Sequence, residues 1–219
     1  MKKVLFIFGI FFLSGFAIYE AFFYLDAREE VKEVTKNENQ VRLETADIDK
    51  IEEGDLILRK GYGYFSDIIA DHLNTKEFDV THAGILTKKK NEWYVIHSLS
   101  SDVSKIDGMQ IEKLSRFLKY SQPNKIIISR LKNATVEQRK QISVEALKLV
   151  ALKVPFDHHG DISDSSKLYC TEMIWYILEQ ELQLVKLPQE KEERELFFFS
   201  MKCMYDLTII DLIIDKYKD

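Results

Sequence analysis

The sequence predicts an α+β fold, and three observations carry that prediction. Short β-rich runs cluster between residues 55 and 131, helical segments stand apart at 65–73, at 135–153 and from Cys170 onward, and the connections between them are short. Strands paired locally and helices set apart build a small antiparallel sheet packed on helices, not a parallel doubly wound sheet. The composition agrees. At 219 residues, with 46% hydrophobic and 31% charged, the chain holds one globular domain plus an appendage. A net charge of −5 argues against a nucleic-acid partner, whose phosphates need clustered Lys and Arg. Two cysteines and no CxxC spacing exclude a disulfide scaffold and a zinc knuckle.

Residues 1–25 are expected to be a signal anchor or signal peptide. Met1-Lys2-Lys3 precedes an apolar run that, read from Val4 through Leu25 with Glu20 as its one charge, is long enough to span ~30 Å of hydrocarbon at ~1.5 Å per residue. Gly15-Phe16-Ala17 offers a cleavage site, but cutting there leaves Ile18 to Leu25 as an apolar end, so an uncleaved anchor is the favoured reading. The lysines favour a cytoplasmic N-terminus, with the domain outside or, if cleaved, exported. Residues 26–50 are expected to be a charged linker, a solvated tether or loose helical stalk. The stretch 26–53 carries ten acidic against five basic residues.

The folded domain, 51–219, begins near Ile51. Asp55 to Arg59 reads as a short strand after Gly54, and Phe65 to Leu73 as a helix with Ile68, Ile69 and Leu73 apolar. Thr81–Leu86 and Trp93–Ser98 read as a hairpin around Lys88-Lys89-Lys90-Asn91. Lys125–Leu131 is a further strand. Thr135 caps a helix running to about Lys153, with Gln138 in the capping-box position and Pro155 beyond its end. Another helix runs from about Cys170 through Glu181, and Thr208–Ile214 is β-branched enough for a last strand.

The chemistry concentrates on three residues. Cys170 follows the polar run Asp164-Ser165-Ser166-Lys167 and stands at a helix start, where unpaired N–H groups and the macrodipole favour a thiolate nucleophile. The bland alternative, a buried structural cysteine, weighs equally on this segment alone. His82, in Thr81-His82-Ala83-Gly84-Ile85, and His97, in Val95-Ile96-His97-Ser98, sit on the two hairpin strands and can share one face. One imidazole to take the thiol proton and a partner to orient it complete a nucleophilic site.

The order Gly54-Asp55-Leu56-Ile57, then Thr81-His82-Ala83-Gly84-Ile85, then Tyr169-Cys170-Thr171-Glu172 resembles the YiiX/YebB-like group of permuted NlpC-type, papain-like cysteine hydrolases, distant relatives of lecithin retinol acyltransferase. In ordinary papain-like enzymes the cysteine precedes the histidine, and here His82 precedes Cys170, the order of the permuted group. The resemblance implies a permuted papain-like domain, Cys170 as nucleophile, His82 as general base and His97 at the orienting position. The group often carries Ser where this chain has Thr171. The implied activity is that of an amidase or peptidase, with cell-wall peptides as candidate substrates. Lipid-ester hydrolysis or acyl transfer is the alternative, and a non-catalytic peptide- or lipid-binding module is the reading from outside the enzyme class. No cofactor is called for.

Tyr64, Tyr169 and Glu172 are candidates for the substrate groove, with Tyr62 a further aromatic, and Tyr64 also a candidate oxyanion donor. Asp157-His158-His159-Gly160-Asp161 has the composition of a metal cluster but not the spacing of one, and Pro155-Phe156-Asp157 matches a segment that precedes the cysteine in the resembling group, so a cleft-lining loop is expected. His72 is expected at a helix end and Cys203 to be inert.

Overall fold

The computed structural model describes residues 2–74 and 77–218, the side chains of 2–11 excepted. Six strands, β1 (Leu56–Arg59), β2 (His82–Lys89), β3 (Glu92–Leu99), β4 (Gly108–Lys113), β5 (Ile126–Leu131) and β6 (Ile210–Asp215), form one sheet in the order β4-β3-β2-β1-β5-β6. Every neighbouring pair is antiparallel. The helices are α1 (Lys2–Lys36), α2 (Thr45–Ile48), α3 (Tyr64–Leu73), α4 (Leu114–Lys119), α5 (Val136–Leu152), α6 (Cys170–Trp175) and α7 (Lys191–Phe199). A π-helical turn, Tyr176–Glu181, continues α6, and a 3-10 turn, Met201–Tyr205, follows α7.

Both faces of the sheet are covered. Leu56, Leu58, Ala83, Ile85, Ile96 and Ile127 pack in one core with Ile142 and Ala146 of α5 and Met173 and Ile174 of α6. Ile57, Leu86, Val95, Ile126 and Ile128 pack in the other with Leu114 and Phe117 of α4. Burial on both sides is why Leu56–Leu58 of β1 and Ile126–Ile128 of β5 read as unbroken apolar runs and do not alternate. The β2–β3 hairpin closes on Lys90 and Asn91, both at positive φ (47° and 68°), as a two-residue turn that matches the strand twist requires. The strands run further into the lysine-rich stretch than the sequence suggested. The Thr135–Gln138 capping box is formed, and α5 stops at Lys153 in the left-handed conformation.

The charged stretch 26–50 departs from the expected solvated tether. Helix α1 runs unbroken to Lys36, and Asp26, Arg42, Leu43 and Asp47 are buried. Asp26 accepts the N–H of Phe65 at 2.9 Å, capping α3 from outside, and Arg42 donates to the carbonyls of Ser121 and Asn37 and to the Tyr62 hydroxyl. Gly63, at φ 90°, makes the approach possible, because a Cβ there would sit 2.5 Å from Asp26 Oδ1. Charged groups that look solvated along the chain are held by hydrogen bonds from other parts of the fold.

The expected membrane segment begins in residues 1–11, whose side chains lie outside the described residues. Among the described residues no helix is long and apolar enough to cross a membrane. Much of what is described of the run is exposed: Phe12, Leu13, Phe16, Ile18, Tyr24 and Leu25 stand uncovered on α1, while Phe22 and Phe23 are half-buried.

Candidate active site

Cys170 opens α6, and several bonds fix the segment that delivers it. Ser98 Oγ donates to the Leu168 carbonyl at 2.5 Å, and Leu168 N–H donates to Pro155 at 3.0 Å. Glu172 accepts the Tyr169 N–H at 3.2 Å in a capping box at the helix start. Thr171 Oγ1 donates to the Phe198 carbonyl, tying the turn to α7. The sulfur faces inward, where backbone N–H groups of Ala83, Thr171 and Cys170 itself approach it.

His82 begins β2 and is buried. Its Nε2 lies 2.8 Å from Nδ1 of His97 on β3. One proton is shared along that line, so a His82 ring that donates from Nε2 keeps Nδ1 as its basic nitrogen. His97 then carries its own proton on Nε2, which points toward Glu112 Oε1 on β4 at 3.5 Å, too long for a hydrogen bond. Gly84 makes room for the pair, because a Cβ there would meet the Val95 side chain at 2.5 Å and the Ile96 carbonyl at 3.0 Å. The sequence Thr81-His82-Ala83-Gly84 thus supplies a buried imidazole, an inward Ala and a gap against β3.

Arg59, which sequence reading passed over, ends β1 directly opposite His82. Its guanidinium stacks 4.4 Å over the Phe117 ring, and His82 and His97 lie 5.9 Å and 5.7 Å from the same ring. Strand parity was the available signal. Arg59 shares a face with buried Ile57, an inward position that a charge rarely takes without a reason.

The electrostatics differ from the expectation of a ready-made thiolate. Burial pushes the Cys170 thiol above its ordinary value, against the favourable N–H groups of Ala83, Thr171 and Cys170. Burial pushes His82 well below its usual value, with His97 and Arg59 adding, and drives His97 to about 3, with Arg59 again adding. At rest the cavity therefore holds a neutral thiol and a neutral imidazole, and the helix start does not outweigh desolvation.

Cys170 and His82 line a cavity of about 570 Å³ at the end of the sheet where β1 and β3 finish and β2 starts. Its apolar wall is Phe23 and Ala27 of α1, Phe65 and Ile69 of α3, and Phe156. The loop 98–105 and Asp157 line it too, as the Pro155-Phe156-Asp157 match suggested. Tyr64, by contrast, is 49% exposed and lies outside the lining, where neighbouring Tyr62 and Phe65 stand in its place. Tyr169 stacks on Phe199, and Glu172 is buried in its capping role, with burial pushing its carboxyl up to about 8; neither lines the cavity. His72 is exposed, its Nδ1 2.8 Å from the Ile68 carbonyl, and Cys203 is buried with its thiol pushed up to about 11 by burial. His158 pairs with Asp107 at 2.9 Å, and Asp157 accepts the N–H groups of His159 and Asp161. Among the described residues no group of three or more His, Cys, Asp or Glu side chains is arranged to hold a metal ion.

Comparison with known proteins gives the same fold. The family model Peptidase_C92, described as permuted papain-like amidase enzyme, YaeF/YiiX, C92 family, matches residues 50–200. The chain is similar to the crystal structure of metalloprotein yiiX from Escherichia coli O157:H7 (DUF1105), with a TM-score of 0.55 and 17% identity over 76% of this chain and 98% of that one. No curated protein sequence matches it.

Proposed function

This chain belongs to the C92 family of permuted papain-like amidases, and from that premise we propose that it cleaves an amide bond through Cys170, with His82 as general base and His97 as the residue that orients it. The observation that carries the reading is the 2.8 Å contact between His82 Nε2 and His97 Nδ1 beside a cavity that Cys170 also lines. His82 Nδ1 takes the thiol proton as sulfur attacks the carbonyl carbon. Charge gathers on the carbonyl oxygen, with the backbone N–H groups at the start of α6 as the nearest donors. The imidazolium returns its proton to the leaving nitrogen, and water, deprotonated by the same ring, releases the acyl group from sulfur.

An amide is the bond class that the family description favours, and the substrate of the first reading is a peptide amide such as one of the cell wall. A lipid ester, or acyl transfer between lipids, is the second reading, supported by the apolar wall of Phe23, Phe65, Ile69 and Phe156. The N-terminal helix anchors the domain to a membrane in this reading, with the domain outside the cytoplasm. The lysines at its start and the uncovered Phe12, Leu13, Phe16 and Ile18 support that assignment.

The test is to incubate the full-length chain with peptide amides, N-acyl amides and acyl esters and to follow its intact mass. An acyl adduct on Cys170 that decays as product appears is expected. Product formed without an adduct, and undiminished in Cys170→Ser, would overturn the assignment.

A further inference from the structure

Arg59 holds a charge that the chemistry above does not use. It is 8% exposed, and among the described residues its one hydrogen bond runs from Nη1 to the Phe117 carbonyl at 2.9 Å. Its Nε is buried without a partner, and it makes no ion pair among the described residues. A buried cation left this open is costly unless something completes it. Two carboxylates come near without pairing: Glu30 of α1 and Glu112 of β4 both sense Arg59 through space, and burial pushes each of them toward its neutral form. Glu112 spends its ion pair on Arg116, at 3.1 Å.

The cavity that Arg59 lines has further donors. Ser101, Ser104 and Lys105 line it from the loop after β3. Four carboxylates share the lining, Glu30, Asp26, Asp102 and Asp157. The last three are held in place by hydrogen bonds, Asp26 from Phe65 N–H, Asp102 from the hydroxyls of Ser100 and Tyr19, and Asp157 from two backbone N–H groups, and none of the four pairs with Arg59. Phe23, Phe65 and Ile69 make the lining apolar elsewhere. Cys170 and His82 lie in the same cavity, and His82 faces Arg59 across the β1–β2 ladder.

We infer that Arg59 is the anion-binding residue of the site, and that the substrate is an acyl compound carrying a carboxylate or phosphate close to the bond that Cys170 attacks. This rests on the proposed cysteine chemistry and narrows its substrate class to anionic amphiphiles: an oxyanion at Arg59 and an apolar portion against Phe23, Phe65 and Ile69. A carboxylate and a phosphate ester satisfy the guanidinium alike, since both present the paired oxygens it recognises.

The experiment compares two alkylating agents of nearly equal size, iodoacetate and iodoacetamide, at Cys170 of the full-length chain, with β-mercaptoethanol as the reference thiol. The ratio of iodoacetate to iodoacetamide rates is expected about tenfold above the reference ratio, the scale of a fixed cation a few ångströms from the approaching carboxylate. Arg59→Gln is expected to bring the ratio down to the reference, and Arg59→Lys to keep part of it. A wild-type ratio at or below the reference overturns the inference. Because Arg59→Gln leaves Phe117 without its stacked partner and puts folding at risk, a second arm uses the wild type alone. Decanoate and decyl phosphate are expected to slow iodoacetamide alkylation of Cys170, while decanol at the same concentration does not. The stronger protector of the two identifies the anion, and equal protection by decanol overturns the inference. Failure of the cysteine chemistry is read separately, as an iodoacetamide rate at Cys170 that is indifferent to His82→Ala.

Discussion

Strand β1 has a buried charge at each end, and the two are treated differently. Asp55, just before it, is 0% exposed and has both oxygens matched: Arg130 donates from Nε to Oδ1 at 2.7 Å and from Nη2 to Oδ2 at 2.8 Å, and the Glu52 N–H adds a third bond at 2.8 Å. Arg59, four residues on, has one hydrogen bond and an orphaned Nε. His97 beside it likewise keeps a buried Nε2 without a hydrogen bond. The closed end holds the fold together, and the open end faces the cavity. Buried polar groups are normally satisfied, so departures from that rule collect where a protein binds or reacts.

The contrast can be broken at either end. At the open end, Cys170→Ser is expected to lower hydrolysis by on the order of 10³-fold or more, as loss of a nucleophile does, with the urea unfolding midpoint unchanged. At the closed end, Arg130→Met should cost about 3–5 kcal/mol of stability by stranding the Asp55 carboxylate, read from urea unfolding, while the alkylation rate of Cys170 at low temperature stays as in the wild type. A stable Arg130→Met protein would mean that the closed network carries little.

His97→Ala tests the middle of the site. In the proposed mechanism it removes the group that sets the His82 tautomer, and hydrolysis should fall by about 10²-fold or more while the apparent affinity for substrate changes little. Smaller still is the pH response. His82 and His97 have folded-state values below the ordinary 6.5, so the unfolded chain binds more protons than the native one between that value and about 3, where His97 titrates. The stability they contribute is fully present above about pH 6.5 and lost as pH falls through that window, by up to about 1.4 kcal/mol per pH unit for each ring. Urea midpoints at pH 7.5 and 5.5 should show the loss, and His97→Asn should flatten the slope. At the bottom of the scale, Tyr64→Ala, outside the cavity, should leave the alkylation rate of Cys170 unchanged and move stability within about 0.5 kcal/mol.

Much of this architecture is legible along the chain. The hairpin with His82 and His97 on its two strands, the capping box at Thr135 and the helix start at Cys170 all follow from local rules of period and capping. The residues that escaped are those defined by tertiary register. Strand β4 escaped because Gly108–Lys113 is an edge strand whose outer residues, Gln110 and Glu112, are polar and whose approach is a polar loop. With β4 missed, Glu112 had no place near His97. Helix α7 opens on Lys191-Glu192-Glu193-Arg194, a run that reads as solvated surface, although Phe198 at its far end is buried in the core. The 26–50 stretch misled for the same reason, since charge along a sequence does not reveal the partners that bury it. The direction of the thiol shift also lay outside local reasoning. A helix start favours thiolate, but how much water the sulfur loses depends on what packs over it.

The central claim is that His82 activates Cys170, a thiol that burial otherwise makes reluctant. The most direct test is the rate of iodoacetamide alkylation at Cys170 in the full-length chain from pH 5 to 9, in the wild type and in His82→Ala, with Cys203 as the internal reference. The expected result is a wild-type Cys170 that reacts well ahead of Cys203 at pH 7 and slows by about 10²-fold in His82→Ala, recovering only at high pH where the thiol ionises unaided. Equal rates and identical pH profiles in the two proteins would contradict it.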